Sequence, residues 1–237
     1  MKSTLPKIRK TLSNLRRRFQ VRWGSLRRLK PFSQTFGFDR GQCIDRYYIE
    51  NFLSRNSQKI QGHVLELADN CYTQKFGGQK VTHSDILHLT PDNPKATLIA
   101  DLTSAEKLSS NTFDCIILTQ TLQFIYDVKS ALKTLHRILK PGGVLLATFP
   151  GISQISRYDR DRWGEYWRFT SLSARRLFEE VFPADQITVE VYGNVLTATA
   201  FLHGMAVQEL RRKELDYHDS DYEVLITVRA VKPNSSP

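Results

Sequence analysis

No stretch of this 237-residue chain approaches the roughly 18–20 consecutive apolar residues that a membrane-spanning helix requires. The first thirty residues hold no unbroken apolar core either, so no secretory signal is expected. Cysteine is scarce. Cys43, Cys71 and Cys115 are odd in number, far apart and without a CxxC. That argues against a disulfide framework or zinc knuckle, and points to a reducing compartment. Acidic residues are absent from residues 1–38, which carry eleven Lys or Arg. The rest of the chain holds 23 basic and 24 acidic side chains, so the net charge of +10 belongs to the N-terminal arm. A neutral body argues against a basic nucleic-acid groove.

The arm has a pattern of its own. Leu5, Ile8, Leu12, Leu15, Phe19, Trp23, Leu26 and Leu29 fall three or four apart, with Lys and Arg on the other face. Thr4 and Pro6 suit a helix start, and Gly24 a break or bend. A basic amphipathic helix with Trp and Phe suits an anionic membrane surface, engaged through residues 5–30. A helix docked on the body, a disordered tail and a transit peptide stay open as alternatives. RNA binding by the arm is disfavoured, since its basic residues are not interleaved with several stacking aromatics.

Beyond the arm, short apolar runs at 63–67, 80–86, 96–101, 113–119 and 144–150 have strand length. The runs at 115–118 and 144–147 lack alternation, as in strands buried on both faces of a parallel sheet. A short helix is expected at 45–55. A second, capped by Asp127, carries Val128, Ala131, Leu132, Leu135, Ile138 and Leu139 on one face and stops at Pro141-Gly142-Gly143. A third spans 171–182, strands follow at 187–192 and 222–231, and 195–215 reads as helical. The alternation predicts an α/β fold: a doubly wound, mostly parallel seven-stranded sheet whose ligands sit at the carboxyl ends of its strands. The expected organisation is a basic arm over 1–35, a single domain over 36–232 and a disordered tail over 233–237.

The run "FDCIILTQTLQFIYDVKSALKTLHRILKPGGVLLATFPG" (113–151) resembles the core of class I S-adenosylmethionine-dependent methyltransferases, with LKPGG its most specific part. The likeness extends over about residues 60–182. It is strongest to the small-molecule branch, and residues 36–78 resemble a bacterial subgroup associated with glycosyltransferases. The resemblance implies a Rossmann-like methyltransferase fold with S-adenosyl-L-methionine as cofactor. It places Glu66 opposite the methionine ammonium, Asp85 and the following Ile86 at the ribose, and Asp101 with Leu102 at the adenine. Thr119 and Gln120 would meet the methionine end. The family's E-x-G-x-G-x-G turn is altered, with Ala68, Asn70 and Tyr72 at the glycine positions and Asp69 between the first two. Asn70 is the residue that best tolerates a left-handed turn there, and Tyr72 is the obstacle. An NAD site is disfavoured because GxGxxG is absent.

The segment 156–171 reads as an acceptor wall, with Tyr158, Trp163, Tyr166 and Arg168 as substrate residues and Asp159 and Asp161 as candidate bases. Interleaved aromatics and acids suit a sugar. An ordinary surface loop with a Trp-based mini-core is the competing reading. His83, Asp85 and His88 imitate metal-ligand spacing but are not expected to converge, so no metal is expected. No nucleophile-elbow motif is present. The expectation is thus a cytoplasmic methyltransferase, held at the inner membrane face by its arm and acting on oxygen of a sugar, glycolipid or related small molecule. A catalytically inactive scaffold and an RNA-modifying enzyme remain the alternatives, and nucleic acid is not the expected partner.

Overall fold

Seven stretches rich in Val, Ile and Leu pair into one sheet. They are β1 (Gly62–Leu67), β2 (Val81–His88), β3 (Leu98–Ile99), β4 (Phe113–Thr119), β5 (Leu139–Pro150), β6 (Ile187–Tyr192) and β7 (Leu225–Val231). Their order is β3-β2-β1-β4-β5-β7-β6. Strands β3, β2, β1, β4 and β5 run parallel, while β7 is antiparallel to both of its neighbours. The direction of winding reverses between β1 and β4, where a parallel sheet offers its ligand crevice. The computed structural model describes residues 23–234, and Phe32 begins a compact unit separate from the residues up to Pro31.

Strand alternation sends side chains to two apolar layers. Leu65, Ile116, Leu145 and Val228 face helices α2 (Val128–Ile138) and α4 (Ser171–Glu179). Val64, Cys115, Ile117 and Leu146 face helices α1 (Ile44–Arg55) and α5 (Val195–Leu202). Each fully buried Leu or Ile contributes about 1.5–3 kcal/mol to this arrangement. Helix α2 follows the expected pattern: Asp127 accepts the Ser130 N–H as its cap, and the 128/131/132/135/138 stripe is buried.

Several boundaries differ from expectation. Strand β2 continues two residues further, to His88, because Leu87 and His88 pair with the short β3. Strand β5 starts at Leu139, which pairs with Phe113 directly after α2. The helix expected over 195–215 breaks at Gly204 (φ +66°), whose missing Cβ lets the backbone pass beside Ser33. It resumes only as a 3-10 turn and a short α6 (Arg212–Leu215). The crossover from β1 to β2 holds a five-residue π-type turn, Thr73–Gly77, and a 3-10 turn, Gly78–Lys80, and residues 100–112 between β3 and β4 form turns only. In the separate N-terminal unit, Gly24 (φ +50°) opens a single 3-10 turn, Gly24–Leu26. The rest of the amphipathic helix expected there, residues 5–22, lies outside the described residues, as does most of the expected tail. No helix among the described residues is long and apolar enough to cross a membrane.

Candidate functional site

The carboxyl ends of β1 through β5 open into one cavity of about 1240 Å³. The turn after β1 contributes Glu66, Ala68, Asp69 and Tyr72, and the end of β2 contributes Leu87, His88 and Leu89. Asp101 and Leu102 follow β3, and Thr119 and Gln120 follow β4. On the far wall stand Tyr158, Asp159 and Trp163 of α3 (Arg157–Trp163), with Tyr166 just beyond.

The altered turn keeps a left-handed residue, but at Ala68 (φ +69°) rather than Asn70. Asn70 is instead tied to Ser84 Oγ (3.2 Å) and Gln74 Nε2 (3.1 Å), and it does not line the cavity. Tyr72 does not fill the hollow. Its ring packs against Phe76 (centroids 6.1 Å apart) among the α1-side residues, and burial pushes its hydroxyl up to about 12. Gly77 completes the turn where a Cβ would lie 2.4 Å from Val81 Cγ2.

Glu66 is buried, and both carboxyl oxygens serve the turn. Oε1 accepts the Tyr72 N–H (3.2 Å), while Oε2 accepts the Thr73 N–H and hydroxyl (2.7 Å each). Burial raises its pKa to about 7 against the opposing pull of those donors. Asp101 Oδ1 accepts from the Thr103 N–H and hydroxyl (2.8 Å each).

Asp85 and Ile86 fall outside the cavity, which corrects their expected place at the ribose. The cause is the two extra residues of β2: Asp85 pairs in register with Leu65, ahead of Glu66, and the strand end is His88. Asp85 bonds instead to His63 Nε2 (2.7 Å) and Thr97 Oγ1 (2.6 Å). The expectation that the histidines of "HSDILH" diverge holds for His88, which faces the other side of β2. It fails for His83, which shares Asp85's face and meets His63 there.

Asp161 and Arg168 are also not cavity residues. Helical spacing turns Asp161 away from the wall that Asp159 lines. Arg168 folds back on Glu165 (2.6 Å) and the Gln154 carbonyl (2.7 Å). Glu165 in turn accepts the Ser156 N–H (2.8 Å), so a buried carboxylate braces the acceptor segment at both ends. Asp159 accepts the Ser156 hydroxyl at 2.6 Å. Trp163 meets His88 edge to face, with centroids 5.5 Å apart, joining this wall to the end of β2.

Three further cavity residues were not singled out from the sequence. Gln123 is buried, and its Oε1 has no hydrogen-bond partner among the described residues. Its Nε2 donates to Gln120 Oε1 (3.3 Å) and its carbonyl accepts the Tyr166 N–H (2.8 Å). Its only sequence signal is an amide inside the apolar run "LQFI". Asp45 and Arg46 line the cavity from α1, and burial raises the Asp45 carboxyl while Arg46 opposes that shift. A charged pair in the first turn of a core helix was the available sign.

Residues 66–147 match a family profile described as "Methyltransferase domain". Among solved structures, the S-adenosylmethionine-dependent methyltransferase of Archaeoglobus fulgidus superposes with a TM-score of 0.53 at 11% identity, over 79% of this chain and 94% of its own. The fold is that of the class I methyltransferases. Haemonchus contortus phosphoethanolamine N-methyltransferase 2, solved with S-adenosyl-L-methionine, gives 0.53 at 14% identity over 90% of this chain and 55% of its own. Ubiquinone/menaquinone biosynthesis C-methyltransferase of Haemophilus ducreyi is 39% identical over 56 residues, which span 21% of this chain and 22% of that relative. Within the methyltransferase fold, the described cavity occupies the crevice at the reversal of winding.

Proposed function

We propose that the chain is an S-adenosylmethionine-dependent methyltransferase acting on oxygen of a sugar, glycolipid or other small molecule. The observation that carries this is one continuous cavity, with Glu66, His88 and Asp101 at three strand ends and an aromatic and acidic wall opposite. Its volume exceeds that of an ordinary single-ligand pocket, leaving room for a nucleoside cofactor and an acceptor together. Gln123 Oε1, a buried acceptor with no partner among the described residues, supports a ligand donor there, since buried polar groups are nearly always paired.

When bound, the cofactor supplies an activated methyl group on a sulfonium. Glu66 lines the cavity where the family resemblance puts the ammonium, whose charge would favour its ionised form, and Asp101 would accept from the adenine edge. His88 lines the cavity at the end of β2 and Asp85 does not, which supports His88 as the residue that would meet the ribose. The chain's task is then alignment, which alone supplies up to about 7–11 kcal/mol in well-oriented systems. Asp159 and Asp45 are the carboxylates placed to take the acceptor's hydroxyl proton. Tyr158, Trp163 and Tyr166 offer faces for the C–H side of a sugar. The basic arm over residues 5–30 would hold the enzyme on anionic lipid at the inner membrane face, where glycolipid acceptors are made.

Calorimetry with S-adenosylmethionine and its demethylated product tests the assignment. One cofactor per chain is expected, with His88→Ala weakening binding and Asp85→Asn leaving it unchanged in chelator-treated protein. A second reading is favoured by Glu66, whose two oxygens already serve the chain, and by Ala68 and Tyr72 at glycine positions: an inactive scaffold of the same fold. Absence of both binding heat and thermal shift would select it.

A further inference from the structure

A second cluster lies outside the cavity, on the α2/α4 face of the sheet. Two residues apart on β2, His83 and Asp85 point to the same side, and the parallel register sets His63 of β1 directly beside His83. His63 Nε2 is 2.7 Å and His83 Nε2 3.5 Å from the same Asp85 oxygen, Oδ2. One donor atom from each of the three side chains lies within 4.8 Å of the other two. The imidazole planes are perpendicular, with centroids 4.4 Å apart, so the rings meet edge to face rather than stacking.

The surroundings fix these groups. Asp85 Oδ1 accepts the Thr97 hydroxyl at 2.6 Å, which orients the carboxylate and leaves Oδ2 toward the imidazoles. The backbone N–H of His63 donates to Asp114 Oδ2 at 2.8 Å, and the same oxygen pairs with Lys140 at 2.7 Å. The Lys140 ammonium is therefore already paired. Only turns connect β3 to β4, and the His83 side chain is 63% exposed while those of His63 and Asp85 are 23% and 13%. The cluster is rigid on its inner side and open to water on its outer side.

Two neutral imidazoles and one carboxylate form a zinc-type ligand set, softer than the all-oxygen shells of calcium or magnesium. We infer that His63, His83 and Asp85 bind a divalent transition-metal ion, zinc first among them, with water as fourth ligand. The ion takes the place of the hydrogen bond that now joins His63 Nε2 and Asp85 Oδ2. It clips β1 to β2, the strands whose far ends carry Glu66 and His88, and takes no part in chemistry at the cavity. The inference does not rest on the proposed methyl transfer.

The test uses the full chain, stripped with chelator and titrated with zinc ion alone. One zinc per chain is expected, together with a rise in Tm, and cobalt(II) in its place should give the visible absorption of a four-coordinate site. His83→Ala, an exposed change that preserves the fold, should abolish both effects. Asp85→Asn keeps the Thr97 contact and should weaken zinc by about 10-fold or more, since even outer-shell changes cost 10–100-fold. His218→Ala, an exposed histidine elsewhere, should change nothing. Zinc binding by His83→Ala equal to that of the unaltered chain, or no binding by the unaltered chain, would overturn the assignment.

Discussion

Ala68 carries a methyl group in a backbone region where L-residues cost about 1–2 kcal/mol. Ala68→Gly should therefore stabilise the protein by about 0.5–1 kcal/mol, after allowing for the greater freedom of glycine in the unfolded chain. Urea denaturation reads this directly, and a destabilised variant would contradict the left-handed assignment. Glu66 allows a prediction in pH. Its folded pKa of about 7 lies above the ordinary value of 4.5, so the folded state holds an extra proton between them. Its contribution to stability is fully present below about pH 4.5 and is lost as pH rises through 7. A methionine ammonium nearby favours the ionised form, so cofactor affinity should rise between pH 6 and 8. Glu66→Gln should flatten that rise. Equal slopes for the two proteins would remove Glu66 from the ammonium site.

At the scale of elements, the turn between β1 and β2 is built on close approach. Gly77→Ala would place a Cβ 2.4 Å from Val81 Cγ2 and 3.0 Å from Ile60 Cγ2. A cost of about 1–3 kcal/mol is expected, read as a lower midpoint in denaturant. The acceptor segment depends on Glu165, which joins Ser156 to Arg168. Glu165→Gln should loosen the wall formed by α3. Acceptor KM should rise several-fold while cofactor affinity stays unchanged, and a parallel loss of both would place Glu165 in the cofactor site instead.

For the molecule as a whole, charge and fold are separable. The body from Phe32 onward is a compact unit, and the arm's eleven cations lie ahead of it. Deleting residues 1–31 should leave cofactor affinity intact and abolish co-sedimentation with anionic liposomes, an effect that salt should also reproduce. Unchanged liposome binding by the truncated chain would move the lipid contact into the body.

The chain's periodicities alone located the seven strands, the end of β4 at Thr119 and the buried stripe of α2, because each is a local pattern of apolar residues, and Asp127 marked the cap of that helix. The place of the left-handed residue was not legible, since Ala68 and Asn70 both stand at glycine positions and only backbone geometry separates them. Nor was the end of β2: its last two residues are strand because β3 lies beside them, and that pairing moves Asp85 out of the cavity and His88 into it. The meeting of His63 with His83 and Asp85 has the same origin. Spacing along one strand says which side chains share a face, but the register of a neighbouring strand twenty residues away decides what they touch.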